Sequence, residues 1–387
     1  MTQIHAFQGQ LIDCDSHIQP SPRTYELVAG EVGRKFSKMF DELINTLPPT
    51  EADRLARWTA DEVKVWDDQT VWTLKGSTAP GALTPQDRLK TLDYMGVNRS
   101  FIFSDPGVQA AAMSQDELAL PTMRHWNDFI VGFSRTNPDR LRGVAILNMN
   151  NIDEAIKEAE RVLALGGRAF CVPSSVPPGN QSPASAAMDP LWAMMQEANA
   201  TVTLHAGGED GFTASRQWDT GVDHLQFQSI DYSAEGEQIG TYLFSTMSLA
   251  PQNYITTLVL GGVFERFPRL RFGVIELGAH WLAPMALHLD NTYKIFKRRF
   301  EGVLTMPPSE YIHRNIRVTP YRIENVADYI DRYGLAQCYC YSSDFPHPEG
   351  GNAPITDFTR SIDRLGAEMS KGFFVSNAQW VLPAIGN

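Results

Sequence analysis

Apolar residues in this chain fall into short runs separated by longer amphipathic stretches. The first run, Gln10-Leu11-Ile12, leads straight into Asp13-Cys14-Asp15-Ser16-His17. A long polar and aromatic stretch follows, about residues 20–86. Its charged segments at 24–40 and 51–66 look helical, but Pro48-Pro49 and the glycines from Gly76 to Gly81 interrupt it. From Thr84 the rhythm becomes regular. Thr84-Pro85 marks a helix start, with Thr as N-cap and Pro at the first helical position, and Leu89, Leu92 and Met95 carry that helix to a stop at Gly96. Apolar runs then predict strands at 97–103, 141–147, 168–172, 201–205, 270–276, 316–319 and 337–343. Helical periodicity between them predicts helices at 118–135, 151–165, 190–198, 279–300 and 323–333.

With the first run included, eight strands alternate with helices. Alternation of this kind predicts a parallel sheet, and eight units in 387 residues predict an α/β fold closed as a (β/α)8 barrel. Long insertions follow the first and fifth strands, and the chain reads as one domain over 1–387 with the insertion at about 20–86. An open doubly wound sheet is the alternative, but no glycine-rich phosphate fingerprint follows the first strand.

Composition narrows the field of partners. Apolar residues make up 43% and charged residues 20%, which suits a chain with a substantial core. A net charge of −12 argues against nucleic acid or an anionic membrane as partner. No run of about 18 apolar residues predicts a membrane span, and the N-terminus carries no visible signal peptide. The four cysteines, Cys14, Cys171, Cys338 and Cys340, read as buried small residues in a reducing, cytoplasmic setting. A homodimer is the expectation from base rates alone.

The chemistry lies where strands end. Side chains two apart on a strand share a face, so Asp13, Asp15 and His17 point one way. In a barrel the active site sits at the C-terminal ends of the strands. The fifth strand ends in His205, the sixth in Glu276 with His280 shortly after, and the eighth in Asp344, followed by His347. Carboxylates are seldom buried without partners. Asp15, His17, His205 and Asp344 are therefore the candidate ligands of one divalent metal, with zinc and manganese both suited to a mixed nitrogen and oxygen set. Asp13, one step deeper, reads as support. Asp344 can serve as both ligand and proton acceptor, and Glu276 or His280 as the proton shuttle. His347, between two prolines, reads as a loop-ordering group or a ligand. For Glu276 the plain alternative is a buried salt bridge to an arginine. No Gly-x-Ser-x-Gly elbow is present for a nucleophilic serine.

These segments resemble the amidohydrolase superfamily, in the branch that holds aminocarboxymuconate-semialdehyde decarboxylase and related aromatic-acid decarboxylases, lactonases and hydrolases. The matching stretches are Ile12 to His17, Pro85 to Val97, Leu204 to Gly207, Gly261 to Leu270, Glu276 to Ala279 and Ser343 to Gly350, in order along nearly the whole chain. The resemblance implies a metal-dependent barrel enzyme in which Asp15 stands where many members have the first histidine of a His-x-His pair. It also implies a small, aromatic or unsaturated carboxylic acid as substrate. Non-oxidative decarboxylation is the leading reaction and metal-activated hydrolysis of an amide, lactone or C–C bond the alternative. Members place a histidine where Glu276 stands here, which leaves the acid/base open between Glu276 and His280. Trp58, Trp66, Trp72, Phe212 and Trp218 in the insertions are candidate pocket walls. Arg216 and Arg322 are candidates to pair with a substrate carboxylate, and His224 is within the excursion that could reach the site.

Overall fold

The computed structural model describes residues 6–208, 218–226 and 239–385. Its strands are β1 (Leu11–Asp13), β2 (Val97–Ile102), β3 (Leu141–Gly143), β4 (Ala145–Ile146), β5 (Ala169–Cys171), β6 (Thr201–His205), β7 (Arg271–Ile275) and β8 (Ile316–Val318). All pairings between them are parallel, in the orders β1-β2-β3 and β4-β5-β6-β7-β8. Helices separate most of the strands, as alternation along the chain predicts.

Two junctions link these sheets. Between β3 and β4 the expected single strand is interrupted at Val144, whose N–H still donates to the Ile102 carbonyl (2.9 Å), while Leu147 N–H reaches Cys171 (2.9 Å). At the far side, residues 339–343 run between β8 and β1 and lead to Asp344. Cys340 N–H donates to Val318 (3.0 Å), Cys14 N–H to Tyr341 (3.0 Å) and Asp344 N–H to Asp15 (3.0 Å). The expected strand at 337–343 therefore begins late. Residues Ala336–Cys338 form a tight 3-10 turn, and the first strand-like pairing joins Tyr339 to Val318.

The strands are buried on both faces, as parallel strands covered by helices should be. Register keeps their C-terminal ends level: Thr203 lies beside Cys171, His205 beside Ile275, and Val274 beside Val318. Bridges pair His17 with Phe103 and Ser16 with Phe345 at the same end.

Helix boundaries follow local chemistry. In the stretch after β1, helices span Glu26–Ile44 and Pro49–Trp58, the second with proline in its first turn. It ends earlier than the predicted residue 66, at Thr59, whose Oγ1 donates to the Leu55 carbonyl (2.8 Å). Helix Pro85–Met95 stops at Gly96 in a left-handed conformation (φ 73°), where glycine carries no Cβ penalty. Thr84 precedes it but does not cap it; its hydroxyl donates to Asp87 (2.9 Å). A helix at Pro106–Met113 was not predicted, and Asp105 caps it by accepting from Gly107 N–H (2.8 Å). All four cysteines are buried and none forms a disulfide.

At the opposite end, residues near the strand starts grip the C-terminal segment. Arg99 on β2 donates to the Leu382 carbonyl (3.0 Å), Arg142 on β3 to Pro383 (2.8 Å) and Arg317 on β8 to Asn377 (3.3 Å). Arg271 on β7 donates to Trp380 and lies over its indole at 4.2 Å, and Thr201 on β6 donates to Val381. Burial, with Arg99 adding repulsion, pulls the Arg142 guanidinium down to about 10.

Candidate active site

Asp15, His17, His205, Glu276, Asp344 and His347 come together at the C-terminal ends of the strands. His17 Nε2 lies 3.2 Å from Asp15 Oδ1 and 3.3 Å from Asp344 Oδ1. His205 Nε2 lies 3.3 Å from both Asp15 Oδ1 and Glu276 Oε2. His347 Nδ1 lies 3.1 Å from Asp344 Oδ1, and its ring stacks on His17 with centroids 3.8 Å apart. Donor atoms of Asp15, His17, His205 and Glu276 all lie within 4.8 Å of one another, and so do those of His17, Glu276, Asp344 and His347.

Backbone conformation, not strand alternation alone, aims two of the carboxylates. Glu276 and Asp344 each follow an extended segment with a left-handed backbone (φ 56° and 53°), which costs about 1–2 kcal/mol for a residue with a Cβ. Strained backbone of this kind concentrates at functional sites. The loop behind Asp344 is tightly seated: a Cβ at Gly350 would fall 2.2 Å from the Ser343 carbonyl oxygen.

Asp13 is support, in a specific way. Its carboxylate accepts from Ser343 N–H (2.8 Å), Ser343 Oγ (2.6 Å) and Asp15 N–H (3.2 Å), which ties β1 to the Asp344 loop. Burial pushes its carboxyl up to about 7. Arg88, fully buried, donates to Ser16 Oγ (3.0 Å), to Gly81 (2.7 Å) and to the His17 carbonyl, and so holds the chain at the first ligands. Arg88→Met should strand those acceptors and cost about 3 kcal/mol of stability, read as a lower urea midpoint. An unchanged midpoint would show the guanidinium to be dispensable.

The electrostatics divide the carboxylates into two kinds. Burial raises the Glu276 carboxyl well above the ordinary range, and the charges of Asp344 and Asp15 push it the same way. Burial also opposes ionisation of Asp15 and Asp344. The adjoining imidazoles of His17 and His205 outweigh it at Asp15, and those of His347 and His17 at Asp344, so both are held below the usual range. At His17, Asp15 and Asp344 outweigh burial and raise the imidazole well above its ordinary value. Surroundings that favour a proton on Nε2 favour a divalent cation in its place.

The residues fit such an ion. His17 Nε2 and Asp344 Oδ1 are buried and neither has an aligned hydrogen-bond partner among the described residues, although they stand 3.3 Å apart. Buried polar atoms without partners are uncommon and call for an explanation such as an ion. The outer nitrogens of both candidate ligand histidines are engaged: His17 Nδ1 lies 2.9 Å from the Ser104 carbonyl and His205 Nδ1 3.0 Å from that of Ala206. Such bonds fix the tautomer and turn the bare Nε2 inward.

The site opens into a cavity of about 430 Å³. Beyond the site residues, its walls include Trp58, Leu243, Phe244, Met247, Tyr321 and Phe358, with Arg322 as the cation among the described lining residues. Of the other predicted pocket residues, Trp66 instead donates to Thr91 (3.0 Å) beneath Lys90, and Trp72 is buried in the core. Trp218 is 74% exposed and His224 is also exposed; neither is among the described residues that line the cavity. Arg216 and Phe212 lie outside the described residues. His280 faces outward, 49% exposed, with Nδ1 3.7 Å from Glu324. The bends after β7 carry it away from the cavity, whereas Glu276 lines it. Among the described residues, the Glu276 carboxylate meets imidazoles and no arginine.

Gln19 and Asp105 line the cavity and were not singled out from the sequence. Gln19 Nε2 donates to Asp105 Oδ2 (2.7 Å), and Gln19 Oε1 lies 3.2 Å from His347 Nε2. The signal for Asp105 was present, since it closes the second predicted strand by the same rule that picked out His205.

Parallel strands with level ends, bearing a convergent set of imidazoles and carboxylates, define an α/β enzyme of the metal-hydrolase type. The chain belongs to the amidohydrolase family, whose profile matches residues 12–383. No curated protein sequence matches it. Among solved structures, it is similar to an amidohydrolase from Mycobacterium avium subsp. paratuberculosis K-10, at 16% identity over 96% of this chain and 99% of that one, with a TM-score of 0.67. It is also similar to 5-carboxyvanillate decarboxylase from Sphingomonas paucimobilis, at 20% identity over 97% and 99%, TM-score 0.58. A third is dihydroxybenzoic acid decarboxylase from Polaromonas sp. JS666 with bound manganese and 2-nitroresorcinol, at 17% identity over 96% of each chain, TM-score 0.62. At these identities the likeness is one of fold. No described helix is long and apolar enough to cross a membrane.

Proposed function

We propose that this chain is a divalent-metal-dependent enzyme that removes CO₂ from a small aromatic or unsaturated carboxylic acid. The observation that carries this reading is Glu276, a carboxyl held towards its protonated form by burial and by Asp344 and Asp15, facing the cavity beside His205. The decarboxylase structures of like fold, one with manganese, support the same class of reaction. We read the fold as a single barrel domain closed through residues 339–345, a reading supported by the bonds from that segment to β8 and β1. A reducing, cytoplasmic setting and a homodimer complete the proposal, the first in keeping with four cysteines outside any disulfide.

Asp15, His17, His205 and Asp344 would hold the ion. When bound, a divalent ion polarises substrate oxygen or acidifies water. The chain's own residues supply the rest. Arg322, on the cavity wall, is placed to pair with an anionic group of the substrate, and Trp58, Phe244 and Tyr321 to pack against an unsaturated ring. As the C–C bond to the carboxylate breaks, its electron pair remains on the ring carbon, CO₂ leaves, and the Glu276 carboxyl delivers its proton to that carbon. The apolar wall excludes water that would compete for the site.

The test is CO₂ release from a panel of hydroxylated aromatic acids, before and after exhaustive chelation and after readdition of Mn²⁺ or Zn²⁺. Elemental analysis should find about one ion per chain, the count for a single mononuclear site. In ¹⁸O-water, label entering a product acid would establish hydrolysis instead, and full activity after chelation would remove the metal from the reaction. Arg322→Ala should raise KM about tenfold or more, the loss of one charge-assisted contact, with a smaller change in kcat. A variant with unchanged KM would take Arg322 out of substrate binding.

A further inference from the structure

We propose that Gly351 is a positioning residue for Arg322. With no side chain at 351, the guanidinium lies directly on the loop that follows Asp344, and that seat fixes where the cavity offers its positive charge. This rests on Arg322 as the partner of a substrate anion, as read above, and adds what holds the cation in place.

Arginine has a long, flexible side chain, so a guanidinium on a cavity wall loses affinity to ordering unless its head is already held. Arg322 follows β8, lines the cavity and is 23% exposed. Its Nε donates to the Glu349 carbonyl (3.0 Å), a neutral acceptor that orients the head and leaves its charge. Nη1 lies 3.7 Å from Asp357 Oδ2, too far for a hydrogen bond, and Asp357 Oδ1 also faces the exposed Arg360 at 3.4 Å. One acid shared by two arginines leaves Arg322 with positive charge to offer.

The seat is Gly351. A Cβ there would fall 2.7 Å from Arg322 Nε and 2.9 Å from its Cζ, closer than any side chain allows. The backbone is left-handed (φ 66°), a conformation glycine adopts without a Cβ penalty. Neither end of the loop is free to yield. Gly351 N–H donates to the Pro348 carbonyl (2.9 Å), the Gly351 carbonyl accepts from the buried Lys75 Nζ (2.5 Å), and Gly76 N–H donates to Pro346 (2.8 Å). A methyl group at 351 would therefore displace the guanidinium, the far end of a flexible chain, and break its bond to Glu349. The same loop carries Asp344 at its start. Backbone, and not a choice of rotamers, thus sets the spacing between this candidate metal ligand and the cation, and selects acids whose anionic group fits that spacing.

Salicylate and its uncharged counterpart salicylamide probe the site by titration calorimetry of the full chain with Mn²⁺. We expect Arg322→Ala and Gly351→Ala each to weaken salicylate about tenfold, the loss of one charge-assisted contact, and to leave salicylamide unchanged. Because both act on one contact, the double variant should be no weaker than either single one. Arg322→Lys keeps the charge but has neither the Nε donor nor the planar head. It should lose about fivefold or more, and it provides the test should Gly351→Ala fail to fold. Further weakening in the double variant, or equal weakening of salicylamide, would show that residue 351 acts through the loop and would overturn the proposal. So would full salicylate affinity in Arg322→Ala or Arg322→Lys, or no salicylate binding by the unaltered chain. A chain that shows the expected pattern yet releases no CO₂ from any acid in the panel would lose the decarboxylase reading and keep the positioning.

Discussion

Asp344→Asn and His205→Ala should each reduce turnover by at least about 10³-fold, within the range expected when a group taking part in proton transfer or ligation is removed. Asp344 has two neighbours that depend on its charge, His17 at 3.3 Å and His347 at 3.1 Å. Asparagine keeps the shape and tolerates the left-handed backbone, so folding should survive. The loss should appear in kcat and in bound metal together. His205→Ala removes the nitrogen that faces both Asp15 and Glu276. Either variant retaining more than about a tenth of wild-type kcat/KM, less than 1.4 kcal/mol of barrier, would remove that residue from the chemistry.

Deleting residues 378–387 should have the largest effect on stability. Val381 and Leu382 are fully buried, worth about 1.5–3 kcal/mol each. The deletion also strips carbonyl acceptors from Arg99, Arg142, Arg271 and Thr201, at about 1–3 kcal/mol for each group left buried and unpaired. The sum is comparable to the whole stability of an ordinary domain, about 5–15 kcal/mol. Insoluble protein, or protein without a cooperative melting transition, is the expected outcome. Leu382→Ala should be the milder version, folded but about 2–5 kcal/mol less stable, with activity at low temperature intact. A truncated chain melting near the wild-type temperature would show that the strand-start arginines do not depend on this segment.

Much of this architecture was readable from hydrophobic rhythm. The strand positions, the stop at Gly96 and the convergence of Asp15, His17, His205, Glu276 and Asp344 all follow from period and from the rule that parallel strands end at the site. Errors arose where rhythm carries no information. Alternation placed a strand across 337–343, but a 3-10 turn occupies its start. Asp105 lies just past the second predicted strand, in an Asp-Pro-Gly that reads equally as a turn and as a helix cap, and its contact to Gln19 shows how it joins the site. His280 and Glu276 were indistinguishable on spacing alone; the backbone turn after β7 separates them. Tryptophans in the long excursion offered no sequence signal to distinguish Trp58 on the cavity wall from Trp72 in the core.

The left-handed backbones at Glu276 and Asp344 bear on how this protein can change. Glycine at either position would relieve the conformational penalty, and at Glu276 it would also remove a carboxyl that is costly to ionise there. Selection for heat resistance alone would thus be drawn towards position 276, one of the places where chemistry is concentrated. A library sorted only for folded protein should accumulate replacements at 276 and lose turnover as it gains stability, the trade between stability and activity that strained sites impose.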